Sequence, residues 1–373
     1  MLFSDIIGQE LIKEQLRQTV RAQRLPHAQL FSGAEGVGKL PLALAYAQYI
    51  NCENRNEHDS CGVCPSCVKF NKMVHPDLHF VFPIVKNEAK KMTVCDNFLA
   101  DFREAILTNP YVTINTWLNQ IGDGKQGQIY TNEGDEIIRK LNLKTYESDY
   151  KIMIIWEPEK MHESCANRVL KIIEEPPPKT IFLLVSDTPD EIIGTIQSRL
   201  QRTTIPPISE LELVQHAQKT YTLPTDELQL LSRMAQGSWS HMQALVEQTD
   251  EMKINFERFV QMMRFSWTLN IKELRPWVDE LVAAGREEEK RFLQYAQRMI
   301  RENFVLHLQQ PTLNYMSQQE QAFAQKFSQF INERNILDMM NELALAEAQI
   351  EQNGNGKIIL LDLSIKLYRL LKK

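Results

Sequence analysis

The sequence predicts an α/β domain built on a parallel sheet, then a small helical unit, then an all-helical third part. Three observations predict this. Apolar strand candidates at 28–31, 78–82, 151–155 and 180–186 alternate with amphipathic helical patterns, as in a parallel sheet covered on both faces. The first of them runs into a glycine-rich loop that opens a helix. From 250 to 373 the pattern is helical throughout, with no strand candidate.

Residues 8–25 read as a helix, with Leu11, Ile12, Leu16 and Val20 on one face, and Pro26 ends it before the first strand. Gly33, Gly36, Gly38 and Lys39 then fall in a GxxxxGK loop. Its backbone N–H groups and the helix N-terminus favour an anion, and the lysine reaches terminal phosphates. Such a loop continues with Ser or Thr, whose hydroxyl ligates Mg²⁺. Here Leu40 stands in that place and Pro41 follows, tolerated in a first helical turn.

Cys52, Cys61, Cys64 and Cys67 come next, two of their spacings being CxxC steps. Four thiolates at this spacing suit a closed tetrahedral Zn²⁺ site, structural because no position is left for substrate. Cys95 and Cys165 read as ordinary buried thiols. His75-Pro76-Asp77 turns the chain into the strand at 78–82. Residues 84–128 read as an insertion of unknown role, helical at 97–106 and 113–121. Lys90-Lys91 and Gly122-Asp123-Gly124-Lys125 read as solvated.

A helix at 133–143 precedes the strand at 151–155. That strand ends in Trp156-Glu157, where a phosphate-loop ATPase carries the acids that hold Mg²⁺ and polarise water. Trp156 reads as a packing residue, and Glu157 keeps an acid beside it. With Leu40, two Mg²⁺ contacts are lost, each worth about 1.5–3 kcal/mol, which weakens Mg-nucleotide by orders of magnitude. Helix 159–173 is stopped by Pro176-Pro177-Pro178. After the strand at 180–186, a short helix (190–197) ends at Ser198-Arg199, and a brief strand at 203–205 closes the pattern. An arginine at a helix C-terminus is commonly a dipole-compensating surface charge. The same residue placed on a neighbour's γ-phosphate accelerates its transfer.

Pro206-Pro207 marks a boundary, two or three short helices fill 209–248, and a turn at Asn353-Gly354-Asn355-Gly356 precedes a last helix at 357–371. The expected parts are 1–205 (cysteine module at about 50–70, insertion at about 84–128), 206–249 and 250–373. A length of 373 residues with 43% hydrophobic and 24% charged content suits two or three globular domains. No apolar run approaches the roughly 20 residues of a membrane span, and the polar start lacks a signal-peptide pattern, so a cytoplasmic protein is expected. The net charge of −6 argues against indiscriminate nucleic-acid binding by the chain alone.

Phe3-Ser4-Asp5-Ile6-Ile7-Gly8-Gln9, Pro26-His27-Ala28, Leu30-Phe31-x-Gly33, the four cysteines, His75-Pro76-Asp77, Leu170-Lys171-x-x-Glu174-Glu175-Pro176-Pro177 and Ser198-Arg199 occur in that order. In these residues the sequence resembles the clamp-loader subunits of bacterial DNA polymerase III, which are AAA+ proteins. The resemblance implies an AAA+ phosphate-loop domain with a zinc module, a helical lid at 206–249, and a C-terminal oligomerisation collar at 250–373. Hydrolysing gamma/tau members carry Ser or Thr after the loop lysine, an Asp-Glu pair on the later strand, and a sensing arginine apparently at the Ser240 position. This sequence departs at all three and so resembles the non-hydrolysing delta-prime type. The family's Ser-Arg-Cys motif is kept as Ser198-Arg199, with Leu200 in place of cysteine.

The resemblance further implies a stator in a five-subunit ring, a component of the DNA-directed DNA polymerase holoenzyme. Arg199 would reach in trans the ATP site of an adjacent gamma/tau subunit. The implied partners are the gamma/tau and delta subunits, the sliding clamp, and primed DNA through the complex. Structural Zn²⁺ is the implied cofactor, and ATP binding at this chain's own loop is doubtful. The competing readings are an active ATPase in which a backbone carbonyl or water replaces the lost Mg²⁺ ligands, and a zinc-stabilised repair adaptor. Under the stator reading, Lys39→Ala barely alters clamp loading, whereas Arg199→Ala lowers the ring's DNA-stimulated ATPase.

Overall fold

The sheet forms where the sequence concentrates apolar and β-branched residues. The computed structural model describes residues 1–87, 92–122, 125–308 and 316–373. Lys90-Lys91 and Asp123-Gly124 lie outside them. Five strands, β1 (Ala28–Ser32), β2 (Leu78–Val81), β3 (Lys151–Trp156), β4 (Thr180–Ser186) and β5 (Gln201–Thr204), pair in parallel in the order β2-β3-β4-β1-β5. Leu30 pairs with Leu184 on one side and Arg202 on the other. Every residue of β1, β3 and β4 is buried, because helices cover both faces. The fifth strand lies one to two residues earlier than the pattern at 203–205 predicts.

In chain order the helices of this region are α1 (Glu10–Arg21), α2 (Lys39–Asn51), α3 (Pro65–Asn71), α4 (Leu99–Thr108), α5 (Ile114–Gly122), α6 (Thr131–Asn142), α7 (Glu163–Glu174) and α8 (Gly194–Gln197). After them come α9 (Glu210–Thr220), α10 (Thr225–Ala235), α11 (Trp239–Thr268), α12 (Ile271–Ala283), α13 (Arg286–His307), α14 (Gln318–Phe327), α15 (Ile336–Glu351) and α16 (Gly356–Leu371). No helix among the described residues is long and apolar enough to cross a membrane.

The chain divides into two compact units, Met1–Leu245 and Val246–Lys373, each with its own core. Among the described residues the second is helical without strands, its interior filled by Phe259, Met262, Phe292, Met299, Met339, Leu343 and Leu367.

The described residues of 84–128, a segment whose role is not legible from sequence, are integral to the first core. Phe102 of α4 stacks on Phe82 at 3.9 Å and lies 5.3 Å from Trp117 of α5 and 5.8 Å from Trp156. Trp117 donates its indole N–H to the Pro83 carbonyl at 2.8 Å. Trp156 therefore packs, as read from sequence, and its partner is the insertion.

His75-Pro76-Asp77 stitches two segments together. Asp77 accepts backbone N–H bonds from Tyr146, Glu147 and Ser148 at 2.7–2.9 Å, and His75 Nε2 meets Ser148 Oγ at 3.0 Å.

Candidate functional site

The order reversal at β1 leaves a crevice outside the carboxyl ends of the strands, where open parallel sheets bind ligands. The glycine loop leaves β1 there and α2 begins at Lys39. Gly36 and Gly38 have φ of +76° and +96°, a backbone that L side chains rarely adopt, so the loop curls in the way an anion cradle requires.

Lys39 turns inward. Its side chain is 4% exposed, and Nζ donates to the Gly33 carbonyl at 2.9 Å and to the Ala34 carbonyl, and lies 2.5 Å from Asp187 Oδ1. Asp187 follows β4, so the pair ties the loop to the neighbouring strand end. Leu40 is buried in the core and offers no oxygen.

Glu157 is also buried and is held in a left-handed turn (φ 54°) just past β3, its N–H donating to Val185 O at 2.8 Å. Burial, and then the neighbouring Asp187 and Glu159 carboxylates, push its pKa up to about 10. A carboxyl that stays protonated at neutral pH cannot accept a proton from an attacking water. Glu159 instead caps the end of β4, one oxygen accepting from Ser186 Oγ and from the N–H groups of Asp187 and Thr188 at 2.9–3.2 Å.

Helical residues after Pro207 cover the loop. The Trp239 N–H donates to Gly36 O at 2.9 Å, and a Cβ on Gly36 would collide with Ser238 Oγ and Ser240 Oγ. Ser240 thus stands beside the loop. Gln9 joins this assembly, donating to Pro206 O at 2.7 Å and Val37 O at 3.3 Å. Tyr111, between α4 and α5, packs over Gly38. Sequence reasoning missed it, because nothing local marks a tyrosine as a neighbour of residues some seventy or more positions away. Burial lifts its phenol pKa to about 12. The cavity left among Glu35, Lys39, Tyr111, Trp156 and Asp187 measures about 20 Å³, room for one water.

Arg199 lies just beyond α8, away from the loop lysine's partners. Its side chain keeps 31% exposure, with Nη1 donating to Thr195 O at 2.6 Å and Nε 3.1 Å from Glu174 Oε2 at the end of α7. The Leu170-Lys171-x-x-Glu174 segment and Ser198-Arg199, two separate sequence motifs, therefore meet in space.

Cys52, Cys61, Cys64 and Cys67 converge, all four Sγ atoms lying within 4.8 Å of one another. Cys61 Sγ and Cys67 Sγ are 3.9 Å apart, against about 3.8 Å for a tetrahedron with 2.3 Å metal–sulfur bonds. Backbone N–H groups of Cys61, Cys64 and Cys67 point at the sulfurs of Cys52, Cys61 and Cys64 at 3.2–3.4 Å. The Val63 amide, ahead of that of Cys64, lowers the Cys61 pKa to about 6, while burial raises Cys67. Four convergent sulfurs with amide donors fit a tetrahedral thiophilic ion. Such an ion would crosslink the C-terminus of α2 to α3, with all four ligand positions taken.

A parallel sheet of this order, with a phosphate loop after its first strand and a helical cover, defines an AAA+ fold. The family model described as DNA polymerase III, delta subunit, matches residues 8–209, just over half of the chain, and the chain belongs to that family. Relatives include the tau/gamma subunit of DNA polymerase III from Haemophilus influenzae, 26% identical over 255 residues (67% of this chain, 31% of that protein). The tau subunit from Bacillus subtilis is 26% identical over 251 residues (66% and 37%). Protein STICHEL-like 4 of Arabidopsis thaliana is 21% identical over 251 residues (66% and 21%). The chain thus spans between about a fifth and two fifths of the length of these relatives. A gamma-subunit-related protein of Thermotoga maritima aligns over 96% of this chain and 99% of its own, at 14% identity and a TM-score of 0.37.

Proposed function

We propose that this chain is a non-hydrolysing, delta-prime-type stator of the DNA polymerase III clamp loader. In this reading, 1–205 is the phosphate-loop domain, 206–249 its lid and 250–373 the oligomerisation collar. The observation that carries it is the state of Lys39. The residue that should reach terminal phosphates is bound to its own loop carbonyls and to Asp187. Leu40 and Trp156 support the same conclusion by offering no magnesium ligand, and Glu157, protonated at neutral pH, offers no base.

Arg199 is the part directed outward. Under this reading its guanidinium stabilises charge developing on the γ-phosphate in an adjacent gamma/tau subunit, while Glu174 and the Thr195 carbonyl hold it at the surface. Zn²⁺ is the ion best suited to the four cysteines, as scaffold. Primed DNA and the sliding clamp are reached through the assembled ring.

The test is a ring reconstituted from gamma/tau, delta and this chain, with DNA-stimulated ATP turnover as readout. An arginine finger is worth about 10³–10⁵-fold at the site it serves. Arg199→Ala therefore removes the turnover of that one interface while the ring still assembles, and the isolated chain consumes no ATP. Magnesium-dependent turnover by the isolated chain, or full ring activity with Arg199→Ala, refutes the reading.

A further inference from the structure

Residues 109–112, the turn between α4 and α5, touch all three parts that surround the glycine loop. The Tyr111 hydroxyl accepts the Ile7 N–H at 2.9 Å, which fixes it to the segment ahead of α1. Its ring edge and hydroxyl lie 3.2–3.3 Å from where a Cβ on Gly38 would stand, so the tyrosine rests on the loop backbone itself. Asn109 holds the turn, its Oδ1 accepting the Tyr111 N–H at 3.0 Å and its carbonyl the Val112 N–H at 3.1 Å. Asn109 Nδ2 donates to Gln243 Oε1 at 3.3 Å, in the first turns of α11. Pro110, Tyr111 and Val112 line the residual space of about 20 Å³ together with Lys39, Trp156 and Asp187.

We propose that Tyr111 is a built-in occupant of the nucleotide site. It closes the mouth of the phosphate loop and joins loop, N-terminal segment and lid, as a bound nucleoside triphosphate would. The inference rests on the stator reading and adds a mechanism to it. Loss of magnesium ligands weakens binding, whereas an occupying side chain excludes the ligand and fixes the lid in one arrangement whether or not ATP is present. It also gives the 84–128 segment a task, since α4 and α5 anchor the turn through Phe102 and Trp117.

The experiment uses the full-length chain with ATP, with and without Mg²⁺, followed by titration calorimetry and by hydrogen exchange at the Trp239 amide, which is bonded to Gly36 O. The wild type binds no ATP at about 1 mM. Tyr111→Ala gains ATP binding at least tenfold tighter than wild type, and its Trp239 amide exchanges faster until ATP is added. Tyr111→Phe, which keeps the ring, stays closed. Should Tyr111→Ala fail to fold, Asn109→Ala releases the turn without emptying the core and shows the same gain.

Folded Tyr111→Ala or Asn109→Ala chains that bind ATP no better than wild type overturn the proposal and leave the stator reading intact. Wild type that binds ATP as tightly as the variants overturns the occupant, and wild type that also hydrolyses it overturns the stator reading as well.

Discussion

Lys39 carries a full charge at 4% exposure, and its partners are two backbone carbonyls and one carboxylate. Removing one member of a fully buried ion pair costs about 3–5 kcal/mol, chiefly because the other charge is left uncompensated. The Asp187 side chain keeps 20% exposure, which moderates the penalty, and Glu157, neutral at this pH, adds nothing to it. Lys39→Ala should then lower the unfolding free energy of the first unit by about 2–3 kcal/mol. The double variant with Asp187→Asn should lose less than the sum of the single changes, because no orphaned charge remains. Urea denaturation of the four proteins checks this, and additive losses would show that the pair is not coupled. The expectation from sequence, that Lys39→Ala leaves clamp loading nearly untouched, is therefore sharpened. Under the stator reading, loading per folded molecule is unchanged, and only the reserve of stability is reduced.

At the level of elements, legibility followed sequence distance. The convergence of the four cysteines could be read because their sulfurs fall within sixteen residues, and CxxC turns deliver two sulfurs to one point wherever they occur. The strands β1, β3 and β4 could be read because burial on both faces leaves unbroken apolar runs. The turn at Tyr111 could not, since its partner Ile7 is 104 positions away and its contact with α11, from Asn109 to Gln243, spans 134. The module also holds the N-terminus: the Met1 amino group donates to Asn71 Oδ1 at 2.7 Å, and the Phe3 N–H to Asp59 at 3.0 Å. Purified chain should therefore contain one zinc ion by elemental analysis. Its removal by a strong chelator should release amide protection at both 52–71 and 1–5, with several kcal/mol of stability lost. Protection in β1, β3 and β4 should persist. A chain that keeps its protection after complete metal removal would show that the four sulfurs pack without an ion.

Across the whole molecule, two hydrophobic cores divide the work that the stator reading assigns. Met1–Leu245 carries Arg199 and the phosphate loop, and Val246–Lys373 carries a core built from helices. The second core closes on itself. Trp277 packs edge-on against Phe292 at 5.4 Å, Glu320 is paired with Tyr295 and Arg298, and Asn335 Nδ2 donates to Leu370 O at 3.1 Å to tie α15 to the end of α16. About 130 residues with such a core are enough for independent folding. A fragment of residues 246–373 is therefore expected to be helical and to melt cooperatively, as followed by circular dichroism. If this unit is the collar, the fragment should compete with the full chain for gamma/tau and delta, and the resulting complexes should lack the ATPase stimulation that the stator reading assigns to Arg199. A folded fragment that fails to compete would move the oligomerisation surface to the first unit. An unfolded fragment would show that helix α11, within which Val246 lies, must be intact for the second core to form.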